Sequence, residues 1–194
     1  MEETTRYIPD AVNVADHLAH AARLQPMRRA VVCPAGRDPY GRAAYAHLTF
    51  GQLDRESDVA AHGLQASGIG RGTRTILMVR PSIEFFVVIF ALFKLGAVPV
   101  VVDPGMGIRR LLVCYRSTRP QAFIGIPLAH AVRVLFRKHF RSVRTRITVG
   151  RRWFWGGPTL RQLRSRTLPP FEAARTRADE PAAILFTTGS TGPA

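Results

Sequence analysis

The sequence predicts an α/β fold, with helices packed on a largely parallel sheet. Three observations carry that reading. Short β-prone apolar runs alternate with longer segments of helical periodicity. Val98–Val102 is apolar throughout, as expected of a parallel strand buried on both faces. Glycine and proline punctuate the junctions. The chain has 194 residues, of which 46% are hydrophobic and 21% charged, so it can bury one substantial core.

Taken in order, Asn13 is the expected N-cap of a helix to about Leu24, ended by Pro26. Val14, Leu18, Ala21 and Ala22 would form its apolar stripe. Ala30–Cys33 and Ala44–Leu48 read as strands around a loop from Gly36 to Arg42. Thr49 caps a helix over Phe50–Ala66, with Phe50, Leu53, Val59, Ala60 and Leu64 on one face and Gly68 and Gly70 beyond its end. Thr73–Val79 is a strand, and Pro81 opens a helix to Leu95. After strand Val98–Val102 come a helix at Ile108–Ser117, a strand at Ala122–Ile126, a helix at Leu128–Phe140 and a strand at Arg146–Val149. Residues 151–181 read as irregular, with Trp153-Phe154-Trp155 as a local hydrophobic anchor. There is no internal repeat.

Residues 83–102 have nearly the length of a membrane span. Lys94, Gly96 and Pro99 break the run, which reads better as a buried helix, a turn and a buried strand. The polar, acidic start MEETTRYIPD is unlike a secretory signal. Cys33 and Cys114 are far apart and read as free thiols of a reducing compartment, so a cytoplasmic location is expected. The histidines His17, His20, His47, His62, His130 and His139 have no metal-ligand spacing. No serine sits in a G-x-S-x-G elbow.

The net charge of +15 is unevenly spread. Residues 1–100 carry 11 basic and 9 acidic groups, whereas residues 101–194 carry 17 basic and 4 acidic. Such a field attracts polyanions, unless it is no more than a solvated surface or a face meant for acidic groups elsewhere.

The chain closes on ILFTTGSTGPA, residues 184–194. An apolar strand feeds an uncharged loop of two glycines and four hydroxyls, Thr187, Thr188, Gly189, Ser190, Thr191 and Gly192. Glycine permits close backbone approach, consecutive N–H groups line one concavity, and hydroxyls add donors. That chemistry suits phosphate, although the Walker A spacing is absent.

This loop resembles the signature of the adenylate-forming superfamily, roughly [ST]-[ST]-G-[ST]-T-G-x-P-K-G. Two further segments resemble the same superfamily in the same order. LTFGQLDRESDVAAHGL (48–64) is similar to its first core motif. ALFKLGAVPVVVDP (91–104) is similar to its second, through Lys94, Gly96, Ala97, Pro99, Asp103 and Pro104. VDPGMG (102–107) and FTTGSTGPA (186–194) resemble fatty-acyl ligases, and particularly the β-lactone synthetase branch of bacterial olefin biosynthesis.

The resemblance implies the N-terminal part of the superfamily's large domain over residues 1–194, with the rest of that domain and a small C-terminal domain missing. It implies activation of a fatty carboxylic acid, a 3-hydroxy acid in the β-lactone branch, as an acyl-adenylate. Coenzyme A thiol, or the substrate's own 3-hydroxyl, would then displace AMP. ATP and Mg²⁺ would be required, with Thr187, Thr188, Gly189, Ser190, Thr191 and Gly192 on the ATP phosphates. The loop's lysine, the Mg²⁺-binding glutamate and the ribose-binding aspartate have no counterpart here, and neither Lys94 nor Lys138 can replace that lysine. The chain alone is therefore expected to be inactive, with no catalytic residue of its own, no nucleic-acid partner and an edge strand exposed at Phe186. A reading from another class is a basic binding module for anionic lipid, nucleic acid or a completing protein chain, built on residues 109–177.

Overall fold

The computed structural model describes residues 12–37, 39–164 and 169–187. Helix α1 (Val14–Leu24) starts at Asn13, whose Oδ1 accepts the Ala15 N–H at 2.8 Å. The Asn13 amide also donates to Phe93 O and Ala174 O, at 2.9 and 2.8 Å. One side chain thus caps α1 and ties it to two distant segments. Leu18 is buried and Ala21 and Ala22 are half-buried, as the expected stripe requires, but Val14 is exposed and Ala15 is buried in its stead.

Strands β1 (Arg29–Arg37) and β2 (Ala43–Thr49) form an antiparallel ribbon. β1 runs on through Gly36, which the sequence assigned to a loop, because cross-strand pairing continues to Arg37 opposite Ala43. β2 passes directly into α2 (Phe50–Ala66). Thr49 and Gln52 form a capping box there, each side chain accepting the other's backbone N–H.

The main sheet has five parallel strands in the order β6-β5-β3-β4-β7. They are β3 (Arg74–Met78), β4 (Val98–Val102), β5 (Ala122–Gly125), β6 (Thr145–Thr148) and β7 (Ile184–Phe186). Alternation along the strands divides the core between the two faces. Leu77, Ile124 and Ile147 join Leu53, Leu64, Val88 and Leu92 in one cluster, built with α2 and α3 (Ile83–Lys94). Ile76, Val100 and Phe123 join Leu111, Tyr115 and Phe140 in the other, built with α4 (Ile108–Ser117). The first expectation, helices on a largely parallel sheet, describes this architecture.

Residues 83–102 form α3 and β4, and among the described residues no helix is long and apolar enough to cross a membrane. Two expected helices change. α3 begins at Ile83 rather than Pro81, because Ser82 is extended and its Oγ accepts the Phe85 N–H at 3.4 Å. The helix expected at Leu128–Phe140 is α5 (Pro127–Leu135) followed by a 3₁₀ turn, Arg137–Phe140, with Phe136 non-helical between them. At its C-terminus α3 closes in a Schellman motif. Gly96 takes φ +62°, its N–H reaches Phe93 O and the Ala97 N–H reaches Leu92 O.

The stretch read as irregular contains a short helix, α6 (Leu160–Leu163), with its own capping box from Thr159 and Gln162. It lies against α2 so closely that a Cβ on Gly63 would stand 2.6 Å from Leu163 Cβ.

Candidate functional site

Ligands of open α/β sheets bind outside the carboxyl ends of the strands. At that end β4 and β7 run side by side, with Val102 opposite Phe186. The Asp103 N–H extends the pairing to Phe186 O at 3.0 Å. Asp103 Oδ1 then accepts the Gly105 N–H at 2.8 Å and turns the chain into a 3₁₀ turn, Pro104–Met106. Gly107 follows at φ +77° and opens α4 without a side-chain cap. Arg109 and Arg110 stand exposed in the first turn of α4.

Thr187, the first residue of the Gly/Ser/Thr loop, leaves β7 beside Asp103 and is exposed. Thr188, Gly189, Ser190, Thr191 and Gly192 lie outside the described residues. The strand that feeds the loop is therefore in place at an edge of the sheet, beside the DPG turn of the second motif.

A larger concavity, about 1140 Å³, opens between α2, α6 and the segment after β6. Arg55, Arg151, Arg152, Arg161 and Arg164 line it, with Glu56, Asp58 and Glu84. Arg164 pairs with Glu56, and burial lowers the Arg164 guanidinium from its usual range. Its Nε, buried, has no hydrogen-bond partner.

Lys94, which interrupts the apolar run at 83–102 and matches the second motif, has a structural role. Its side chain is in fact buried and held by three oxygens of α2: Asp54 Oδ1 at 2.7 Å, Asp58 Oδ1 at 2.5 Å and Asp54 O at 2.9 Å. Asp54 and Asp58 are four residues apart and share one face of α2. That spacing, facing a lone lysine in an apolar run, was the available signal. The triad is a structural lock between α2 and α3, and it occupies the one described lysine of the motif.

The aromatic triplet divides. Trp155 is buried, stacks on His130 at 5.1 Å and donates Nε1–H to Thr148 Oγ1 at 2.9 Å. Trp153 and Phe154 are exposed. The anchor reading holds for Trp155 alone. His130 is itself fully buried and donates to Ile147 O at 3.0 Å. Burial pushes its pKa down to about 4; the bond to Ile147 opposes this, and the charges of Arg133 and Arg146 add to it. Neutral His130 is thus a packing element. Cys33 and Cys114 are free. Among the described residues no group of three His, Cys, Asp or Glu side chains could hold a metal ion.

The sequence model of the AMP-binding enzyme family matches residues 18–194. An olefin beta-lactone synthetase of Xanthomonas campestris pv. campestris is 50% identical over 182 residues, which is 93% of this chain and 33% of that protein. An olefin beta-lactone synthetase of Stenotrophomonas maltophilia is 51% identical over 183 residues, again 93% of this chain and 33% of that protein. The crystal structure of a long-chain-fatty-acid-CoA ligase from Archaeoglobus fulgidus superposes with a TM-score of 0.76, over 100% of this chain and 37% of that chain. At 19% identity that likeness bears on the fold. The chain spans about a third of the length of the curated relatives it matches.

Proposed function

The chain belongs to the AMP-binding enzyme family, and we propose that it supplies the phosphate-holding side of an enzyme that activates a fatty acid with ATP. In this reading a carboxylate oxygen attacks the α-phosphorus of ATP. The bond to the pyrophosphate oxygen breaks, giving an acyl-adenylate and pyrophosphate. Negative charge shifts onto phosphate oxygens during that step, so donors already aimed at them lower the barrier. Thr187, Thr188, Gly189, Ser190, Thr191 and Gly192 offer those donors as backbone N–H and hydroxyl groups. The exposed Arg109 and Arg110 add a positive field at the same end of the sheet.

The observation that carries this reading is the family match running through a loop that leaves edge strand β7 beside Asp103. For the second step, the two relatives' names favour closure of a β-lactone by the substrate's own 3-hydroxyl over transfer to coenzyme A. Magnesium would accompany ATP, but the described residues do not fit it. No three candidate ligands converge, and Asp103 Oδ1 is turned onto Gly105 N. We propose further that these 194 residues alone bind ATP without completing the reaction.

Calorimetric titration with ATP and a pyrophosphate-release assay with a 3-hydroxy fatty acid test both statements. ATP binding is expected, weakened at least about tenfold in T188V/S190A by the loss of hydrogen bonds to charged phosphate. No binding by the unaltered chain, or equal binding by the variant, would overturn the loop's role. Pyrophosphate release by the 194-residue chain would overturn its inactivity.

A further inference from the structure

We propose that the face built from α5, the 3₁₀ turn after it and the loop following β6 docks on an anionic lipid bilayer. This goes beyond acid activation and does not depend on it.

The loop is a rigid mount for two exposed rings. Trp155 fixes its base through the stack on His130 and the bond to Thr148. His130 in turn lies 4.9 Å from Phe123 of β5, so a column of rings runs from the sheet to the surface. Trp153 and Phe154 touch Trp155, with centroids 5.3 and 5.2 Å away. They nevertheless remain 55% and 78% exposed. Arg152 Nη1 donates to Gly157 O at 2.7 Å and closes the loop. The packing thus holds two large apolar rings with more than half of their surface in water.

The adjoining helix repeats the pattern. Gly150 approaches Pro127, the first residue of α5, so the loop lies at the start of that helix. α5 buries Ala129 and His130 inward. Leu128, Ala131, Val132 and Leu135, at i, i+3, i+4 and i+7, form a second apolar stripe. Leu128 is 61% and Leu135 76% exposed.

Charge selects the occupant. No Asp or Glu stands between Asp103 and Glu172, a stretch that holds more than half of the chain's 28 basic residues. Arg151 and Arg152 precede the exposed rings, and Arg137, Lys138 and Arg141 are exposed in and after the 3₁₀ turn. Tryptophan settles at headgroup depth, leucine below it, and arginine carries its charge to anionic headgroups. A nucleic acid would use the rings and the arginines, but it has no use for a leucine stripe.

Flotation with vesicles of phosphatidylcholine, alone or with about one-third phosphatidylglycerol, tests the proposal. The chain should float only with the anionic vesicles. Trp153, one of two tryptophans, should shift its emission to shorter wavelength. R137Q/R151Q should lower partitioning about 30-fold. W153S/F154S should abolish the emission shift and weaken binding. Both pairs are exposed, so unchanged thermal melts would show that the variants fold. Failure to float, equal flotation with neutral vesicles, wild-type partitioning by both variants, or tighter binding to a polynucleotide than to anionic vesicles would overturn it.

Discussion

Two regions of this molecule handle positive charge in opposite ways. Between α2 and α3 the single cation Lys94 is 3% exposed and receives two carboxylates and a carbonyl. From α4 to α6 the sequence holds no Asp or Glu, and most of its arginines and lysines stand in solvent. The difference teaches that burial, not charge count, decides whether a cation belongs to the fold. A buried ammonium without a partner costs several kcal/mol, so its carboxylates are obligatory. An exposed arginine costs little and remains available to a partner.

The sharpest way to break the comparison is Lys94→Met. It would leave Asp54 and Asp58 facing each other at a part-buried site and should destabilise the chain by about 3–5 kcal/mol in urea unfolding. Adding D54N and D58N should return part of that loss. A K94M protein as stable as the parent would show that the triad is not a lock.

His130 sharpens the contrast within the basic region. Its folded pKa, about 4, lies below the ordinary 6.5, so the unfolded state binds more protons between those values. Stability is full above pH 6.5 and declines as pH falls towards 4, by up to about 3 kcal/mol. Denaturant midpoints across that range should flatten in H130N; an unchanged slope would mean that other groups carry the acid sensitivity.

A smaller effect is expected at the junction of β2 and α2. Thr49→Ala removes the acceptor for the Gln52 N–H and should cost about 1 kcal/mol, measured at neutral pH. Smallest of all is Glu180→Gln. It breaks an exposed pair with Arg71, which lowers the Glu180 carboxyl from its usual range, and should move the melting midpoint by about a degree or less. A shift matching that of K94M would remove burial as the deciding variable.

The sequence was legible where a rule is local. The Phe50–Ala66 helix and its Thr49 cap, the Val98–Val102 strand and the Ile108–Ser117 helix stand where periodicity and punctuation put them. Errors arose where a distant contact competes with a local preference. Val14 fits an apolar stripe, yet it is exposed, whereas its neighbour Asn13 is buried with bonds to Phe93 O and Ala174 O. Pro81 suits a first helical turn, but the Ser82 hydroxyl caps the helix and it starts two residues later, at Ile83. Near the site, the strand Ile184–Phe186 was legible from its apolar composition, whereas the Lys94 triad depends on residues 36 to 40 apart in sequence on two helices.

The amino-acid sequence by itself determined the α/β class, most element positions, the charge asymmetry and the family resemblance. Each rests on a pattern within about twenty residues, or on composition. The tertiary structure decided which side chains are inside. It made Lys94 a buried lock, gave Trp155 a base on His130, and left Trp153 and Phe154 in water. Those outcomes depend on what crosses from another element, because the cost of burying a charge or exposing a ring is set by its neighbours in space.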